Sequence, residues 1–360
     1  MSRFTSYYLY QRYEKVGDGE WTPTYPNEYS ISGDSSDPMP LVIKEQNDTN
    51  CGWHEPIYQW VDTDDTICVY EENNPYAREY LTIDIVSGSE LTWSSLITGS
   101  CSNTRQIYYS VATTADTSPT SSWLGPVGSF SKVVRPGQRY FIKGLNNEYG
   151  LCCTWHFGGD AKFNVHGNIM SMIYGDDFVG KKEFTEEEVF NGLFKGSGVL
   201  DASNLVLPAE KLTRACYAEM FRGCSWLTAA PLELSGTTLA DSCYAHMFYY
   251  CINLETAPSI LPATTLANTC YAGMFSRCNK LRTAPELPAE TLVSNCYYQM
   301  FYKASLLNNI KCLATDISAT DCTKSWVTDV WANGTFTKAS GATWTRGISG
   351  IPNNWTIQNA

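Results

Sequence analysis

A chain of 360 residues has room for two or three domains with cores of their own, and 43% apolar against 17% charged residues describes a globular protein rather than a disordered one. Its 25 Lys and Arg against 37 Asp and Glu leave a net charge of -12, and no basic run interrupts the acidity. Nucleic acid and anionic membrane surfaces are thereby disfavoured as partners, and no stretch reaches the roughly 18 apolar residues of a membrane span, so no membrane insertion is expected.

The abundant aromatics (23 Tyr, 11 Trp, 14 Phe), separated by Gly, Ser, Thr and Asn, suit a β-rich chain with many turns. At the N-terminus, "MSRFTSYYLYQRYEKVGDGEW" lacks the apolar stretch and small-residue cleavage site of a secretory signal. Read as the native start, it predicts synthesis in a cytoplasm and exit, if any, by a route other than general secretion. Residues 1–75 read as a small β-rich module that opens with a hairpin turning at Gly17-Asp18-Gly19. Cys51 and Cys68 bracket "PIYQWVDTDD" and form either a disulfide in an oxidising setting or two thiols in a cytoplasm.

Residues 76–168 carry the strand-like runs "EYLTIDIVSG", "RQIYYSVATT", "SFSKVVRPGQRYFIKGLN" and "DAKFNVHGNI", which predict a small antiparallel sandwich. "RPGQ" is the turn between two of them, and Thr113 to Ser122 an exposed loop. Cys152, Cys153 and His156 suggest a soft-metal site, but they lack the paired Cys-x-x-Cys spacing of structural zinc and are read as strand or loop thiols. The compartment, not the spacing, sets the redox state of Cys51, Cys68, Cys152 and Cys153. No metal and no cofactor are expected.

"MSMIYGDDFVG" holds Tyr174-Gly175-Asp176-Asp177, which resembles the metal-binding turn of RNA-dependent polymerases. Two-metal phosphoryl transfer needs a further carboxylate on a neighbouring strand and cations for the phosphate backbone. Asp160 is too near in sequence to supply an independent strand, and Asp62, Asp64 and Asp65 are dispersed. The segment is read as a polar turn between structural segments.

Beyond it the chain aligns with itself. "CYAEMFRGCSWLTAAPLEL" from Cys216, "CYAHMFYYCINLETAPSIL" from Cys243, "CYAGMFSRCNKLRTAPELP" from Cys270 and "CYYQMFYKASLLNNIKCL" from Cys296 begin 27, 27 and 26 residues apart. A period of this length marks units too small to fold alone, which bury their apolar sides against one another. Leu239, Cys243, Met247 and Cys251 recur every four residues, as do Leu266, Cys270, Met274 and Cys278, and this spacing predicts one buried stripe on a short helix, widened by Phe248 and Phe275. Pro258 and Pro285 end short extended segments, so each unit is expected to be a helix plus a strand. The expected core comprises Cys216, Met220, Phe221 and Cys224, then Cys243, Met247, Phe248 and Cys251, then Cys270, Met274, Phe275 and Cys278, and finally Cys296, Met300 and Phe301.

Degenerate copies flank the array. "GLFKGS" from Gly192 matches "EMFRGC" with Leu193 for Met220 and Ser197 for Cys224, and "CTKSWV" from Cys322 places Trp326 where Met300 falls. The closing "FTKASGATWTRGISGIPNNWTIQ" drops the pattern and is expected to form a β-cap. Cysteines eight apart on a helix would lie about 12 Å apart, out of disulfide reach, and read as small buried hydrophobes; no repeated His or Asn makes one of them a nucleophile. Tyr217, Tyr244, Tyr271 and Tyr297 are candidate ligand or partner contacts, with packing between units as the competing reading.

The Cys-Tyr-x-x-Met-Phe-x-x-Cys-x-x-Leu-x-x-Ala-Pro unit, fullest at Cys270 to Pro285, resembles the leucine-rich repeats of BspA-like proteins of gut Bacteroidales and, in its Ala-Pro-x-Leu-Pro-Ala-Thr-x-Leu form, of their phages and prophages. "KFNVHGNIMSMIYGDDF" before the repeats, "CLATDIS" to "SGIPNNWTI" after them, and the N-terminal "YYLYQRYEKVGDGEWTPT", "CGW" and "YQWVDTDDTICV" extend the resemblance, which is weakest over residues 80–150. Ala304 in place of a cysteine and Leu234-Ser235-Gly236 in place of Leu-Pro-Ala depart from the unit.

The resemblance implies a multidomain α+β protein. A β-rich module (1–75) and a β-sandwich-like domain (76–168) would precede a short α/β leucine-rich-repeat solenoid with degenerate caps (169–328) and a C-terminal β cap (329–360). It further implies a non-enzymatic bacteriophage virion surface protein, a fibre, tail appendage or capsid decoration, made in the host cytoplasm. The N-terminal half would bind other virion proteins, the repeats would contact host-surface glycan or protein, and the whole would be a homo-oligomer. An exported bacterial cell-surface adhesin is the alternative. A glycan hydrolase is a third reading, for which no feature pairs two carboxylates.

Overall fold

The computed structural model describes residues 7–8, 13–16, 20–23, 57–62, 65–71, 79–97, 105–119, 122–146 and 153–360, with side chains described from Glu79 onward except at 96–97 and 153–154. The chain divides into two compact units, Met1–Arg78 and Glu79–Ala360. The sequence segments 76–168, 169–328 and 329–360 thus fall almost wholly within one unit. The fold is β-rich. Among the described residues, helix is confined to a single turn, α1 (Ser171–Tyr174), and a 3-10 turn at Gly175–Asp177.

In the first unit β1 (Tyr7–Tyr8), β5 (Asp65–Glu71) and β4 (Ile57–Asp62) form an antiparallel sheet, and β2 (Tyr13–Val16) pairs antiparallel with β3 (Glu20–Pro23). The turn expected at residues 17–19 lies outside the described residues. The Cys51 and Cys68 thiols lie outside the described residues.

The second unit opens with two sheets. One has the order β14 (Val199–Asp201), β13 (Lys162–Asn168), β6 (Leu81–Ser87), β11 (Gln138–Gly144), β8 (Ile107–Thr113), β9 (Leu124–Val127), with β15 (Leu205–Val206) also on β13. The other is β10 (Ser129–Val133), β7 (Glu90–Ile97), β12 (Cys153–Gly158). Alternation decides their inner faces: Leu81, Ile83 and Ile85 on β6 and Leu91 and Trp93 on β7 point into one core with Trp155 and Phe157 of β12.

The repeats are stitched directly to these sheets. β13 pairs in parallel with β14 and β15, and the Phe157 amide donates to the Leu193 carbonyl at 2.8 Å. Stacked rings continue the same contact: Trp155 on Phe190 and Phe157 on Phe194 start two columns. One runs through Tyr217, Tyr244, Tyr271 and Tyr297, the other through Phe221, Phe248, Phe275 and Phe301, at centroid spacings of 5.4 to 6.1 Å, and both converge on Trp326, which stacks in turn on Trp344.

The helix expected in each repeat is absent. Over Ala215 to Gly223, alternate amides part company. Ala215, Tyr217, Glu219, Phe221 and Gly223 donate to Asp241, Cys243, Ala245, Met247 and Tyr249 in the next repeat at 2.8 to 3.0 Å. Cys216, Ala218, Met220, Arg222 and Cys224 donate three residues back, at 2.9 to 3.3 Å. Every fourth residue has positive φ: Ala215 (51°), Glu219 (55°) and Gly223 (76°), then Ser242, His246 and Tyr250, then Thr269, Gly273 and Arg277. Each stands third in a four-residue turn, where a type II turn requires φ > 0. The stripe repeats every four residues because each turn consumes four residues, not because a 3.6-residue helix drifts slowly.

All the non-glycine residues with positive φ among the described residues belong to this series, which also runs through Glu188 before it and through Asn295, Gln299, Lys303, Asp321, Ser325 and Asp329 after it. Such a conformation costs roughly 1–2 kcal/mol per non-glycine residue. From Glu188 to Lys303 the amides of these residues offset it by donating to the neighbouring repeat, as Thr269 does to Ser294 at 3.1 Å and Lys303 to Thr328 at 2.7 Å.

Further along the repeats, parallel bridges join Asp201 to Ala229, Ala229 to Thr256, and Thr283 to Asn309. They end in a parallel sheet of β16 (Asn309–Cys312), β17 (Thr335–Lys338) and β18 (Thr356–Asn359).

A charged cluster ties the first sheet together across strands. Arg139 forks onto both oxygens of Asp84 at 2.6 Å, and His166 lies 3.1 Å from Glu79 through Nδ1 and 3.3 Å from Asp84 through Nε2. Burial alone would raise the Asp84 carboxyl, but the Arg139 and His166 hydrogen bonds outweigh it and hold it at about 2. Burial alone would lower His166, and its two carboxylate partners raise it instead.

Thr269→Gly relieves a β-branched residue at φ 60° and is expected to stabilise the fold by about 1 kcal/mol. Gly223→Ala, whose Cβ would meet nothing nearer than 3.9 Å, is expected to destabilise it by about the same amount, through conformation alone. Urea unfolding of both variants checks the opposite signs. For His166, the stabilisation is fully present below the unfolded value near 6.5 and is lost as pH rises through the higher folded one. The melting temperature of wild type relative to His166→Gln should therefore fall between pH 6 and 8. The Asp84 contribution is present above 3.8 and fades only as pH falls towards 2.

Candidate ligand-contact surface

The structure places the expected site residues as scaffold. Tyr217, Tyr244, Tyr271 and Tyr297 are 0–1% exposed, so no partner can reach the rings and the contact reading of this ladder is overturned. Each follows an inward cysteine in a turn where successive residues both point in, and the rings stack repeat on repeat. The hydroxyls of Tyr217 and Tyr271 are buried without a hydrogen-bond partner.

The cysteine, methionine and phenylalanine columns lie inside as well, with Cys216, Met220, Phe221, Cys224 and their counterparts through Phe301 all at 0% exposure. The cysteines from Cys216 to Cys322 are free thiols. Cys224, Cys251 and Cys278 donate to the carbonyls of Phe194, Phe221 and Phe248 at 2.8 to 3.1 Å, and burial pushes the Cys224 thiol up to about 12. These are protonated packing groups with no nucleophilic character.

Asp176 of the Tyr-Gly-Asp-Asp segment accepts from Tyr80 Oη at 2.7 Å and Lys143 Nζ at 2.7 Å, hydrogen bonds that hold its carboxyl below the usual range. It fastens the end of α1 to β11. Asp160 accepts from the Ser89 amide and hydroxyl and the Glu90 amide, closing the β6–β7 turn. Neither carboxylate is turned towards a shared metal, and Asp62, Asp64 and Asp65 lie outside the residues with described side chains. His156 points its Nδ1 at the Gly192 carbonyl, 3.4 Å away, and its burial lowers its basicity. The Cys152 and Cys153 thiols lie outside the described residues, among which no group of three His, Cys, Asp or Glu could hold a metal ion.

A different set of residues reaches solvent, at the last left-handed position of each repeat: Gly223, Tyr250, Arg277, Lys303 and Asp329, of which Tyr250 and Asp329 are exposed and the others half-buried. Of the residues before them Arg222, Tyr249, Tyr302 and Thr328 are half-buried, while Ser276 is buried. Tyr250 is 47% exposed. The Arg222 guanidinium lies 5.0 Å from the Tyr249 ring, Arg277 lies 5.8 and 6.0 Å from the Tyr250 and Tyr302 rings, and Lys303 lies 5.3 Å from Tyr302. Arg222 is paired with Glu219, whereas Arg277 and Lys303 have no ion pair among the described residues. Aromatic faces and cations thus alternate along one edge of an acidic protein. The signal was in the sequence: this position reads Gly, Tyr, Arg, Lys, Asp down the array while its inward neighbours scarcely change.

At the end of this edge, Asp329 borders a cleft of about 240 Å³ lined further by Val330, Trp331, Ile348, Pro352, Asn353 and Asn354. Compared with known proteins, the chain matches no protein-family model, no curated protein and no solved structure.

Tyr271→Phe removes a buried hydroxyl that has no partner, so it is expected to leave the protein as stable or more stable by about 1 kcal/mol, measured by thermal melting. A loss of stability above 1 kcal/mol would show that the hydroxyl is satisfied in solution.

Proposed function

We propose that residues 169–328 stack as a leucine-rich-repeat-type solenoid and that the protein acts by binding, as a non-enzymatic surface component of a bacteriophage virion. The observation that carries the binding reading is the division of labour within the repeats. Inward columns are nearly uniform from unit to unit, while the outer edge, half-buried to exposed, varies from Gly223 through Tyr250, Arg277 and Lys303 to Asp329. A uniform interior with a varied edge is what an extended recognition surface on a repeat scaffold requires. The hydrogen bonds that commit Asp160, Asp176 and His166 to structural roles favour binding over catalysis. The virion setting rests on the resemblance of the repeat unit, and in that setting the N-terminal half attaches to other virion proteins of a symmetric assembly.

Mass spectrometry of purified phage particles from a Bacteroidales host, with antibody labelling of residues 190–330 under the electron microscope, tests this. Labelling of tail or capsid is the expected result. Detection on uninfected cells alone would replace the virion protein by an exported adhesin.

A further inference from the structure

The cleft beyond the last repeat has features of a recognition site that the edge itself lacks. Its walls come from residues 327–332 and 347–354, and both are fixed from behind. The Trp331 amide donates to the Leu307 carbonyl at 3.1 Å, and the buried Trp355 indole donates to the Trp331 carbonyl at 2.8 Å. Arg346 gathers the carbonyls of Pro352, Asn353 and Trp355 at 2.7 to 3.0 Å, and the Val327 amide reaches Ile348 across the gap at 3.2 Å. The backbone of these walls is held in place before any ligand arrives, which lowers the ordering cost of binding.

What the walls present is two-sided. Trp331 is 48% exposed and Ile348 57% exposed, beside Val330 and Pro352. A Trp and an Ile left this open on a backbone so firmly tethered are poor contributors to the core and good contributors to a contact. On the rim stand Asp329, Asn353 and Asn354, all exposed and with no side-chain hydrogen bond or ion pair among the described residues. They offer a carboxylate acceptor and amide groups that both donate and accept. Among the described residues, Asp329 is the one ionisable group lining the cleft.

We propose that this cleft binds a neutral saccharide, with one pyranose ring laid on Trp331. The inference rests on the binding reading above and names its ligand class. A pyranose has an apolar C–H face and an edge of paired hydroxyls, which match the indole and the Asp329, Asn353 and Asn354 groups respectively. About 240 Å³ suits one ring of a longer chain rather than a larger cofactor. The Asp329 carboxylate disfavours uronic acids and phosphorylated sugars, which the cations Arg277 and Lys303 along the edge would instead attract.

The full chain is applied to an array of neutral gluco-, manno-, galacto- and N-acetylglucosamine oligosaccharides alongside acidic ones, and separately to host cells. Retention of at least one neutral class is expected, weakened roughly tenfold in Trp331→Ala and in Asn354→Ala with melting temperature unchanged. No neutral retention, or retention that survives Trp331→Ala, overturns the inference. Retention of acidic sugars alone, lost in Arg277→Ala, moves the ligand to the edge and overturns the cleft while leaving a binding protein. Trp331-dependent sugar binding without attachment to cells supports the cleft and counts against the adhesive role.

Discussion

The hydrogen bond from a left-handed residue to the next repeat is the interaction on which the rest of the second unit depends. A chain that places a non-glycine residue at positive φ every four residues would not hold that shape alone, because each costs roughly 1–2 kcal/mol and the local turns supply one hydrogen bond for every two residues. The Ala215, Glu219 and Gly223 amides are turned outwards by that conformation and met by carbonyls of the following repeat. Strain within a repeat and bonding between repeats are therefore one feature, and neither survives without a neighbour. The aromatic and thiol columns follow from it, since equal turns set equal side chains in register.

Such an arrangement leaves unmatched groups at both ends, and the two ends are closed differently. The sandwich closes the first: β12 supplies the Phe157 amide and the Trp155 and Phe157 rings on which the columns begin. Trp326 closes the other by receiving both columns and donating its indole to the Gly350 carbonyl at 2.9 Å. The sheets and the repeats share a strand ladder through β13 and β14, which is why residues 79–360 make one compact unit although the sequence changes character near residue 169.

Much of this was legible in the residues. The period of 27 and 26, the inward Cys, Met and Phe positions, and the strands of residues 80–168 could all be read from pattern, because each reports burial directly. The helix could not be distinguished from a chain of four-residue turns. Over the three positions Cys216, Met220 and Cys224, a stripe advancing by four departs from a helical face by only about 80°. The residues that separate the cases are the ones between: Gly192, Gly196, Gly223, Gly273, Asn295 and Asp321 are the types that tolerate positive φ, and they recur at one position of the turn. Tyr217 and its counterparts misled for a related reason. A tyrosine beside a buried cysteine faces away from it on a strand but not in a turn where successive residues share the interior. The cleft at Trp331 left no trace in the repeat pattern, because it is assembled from two stretches of the closing segment that have dropped that pattern.

Closure at both ends has a consequence for how such a chain can change. A duplicated unit of 27 residues placed between Tyr217 and Tyr297 would find, above and below, surfaces of the kind it already fits, and would disturb neither the sandwich nor Trp326. Length is therefore a free parameter of this architecture. Gene duplication or unequal recombination could lengthen the outer edge one rung at a time, and substitutions confined to the rung's outward position could retune what it touches while the interior stays as it was.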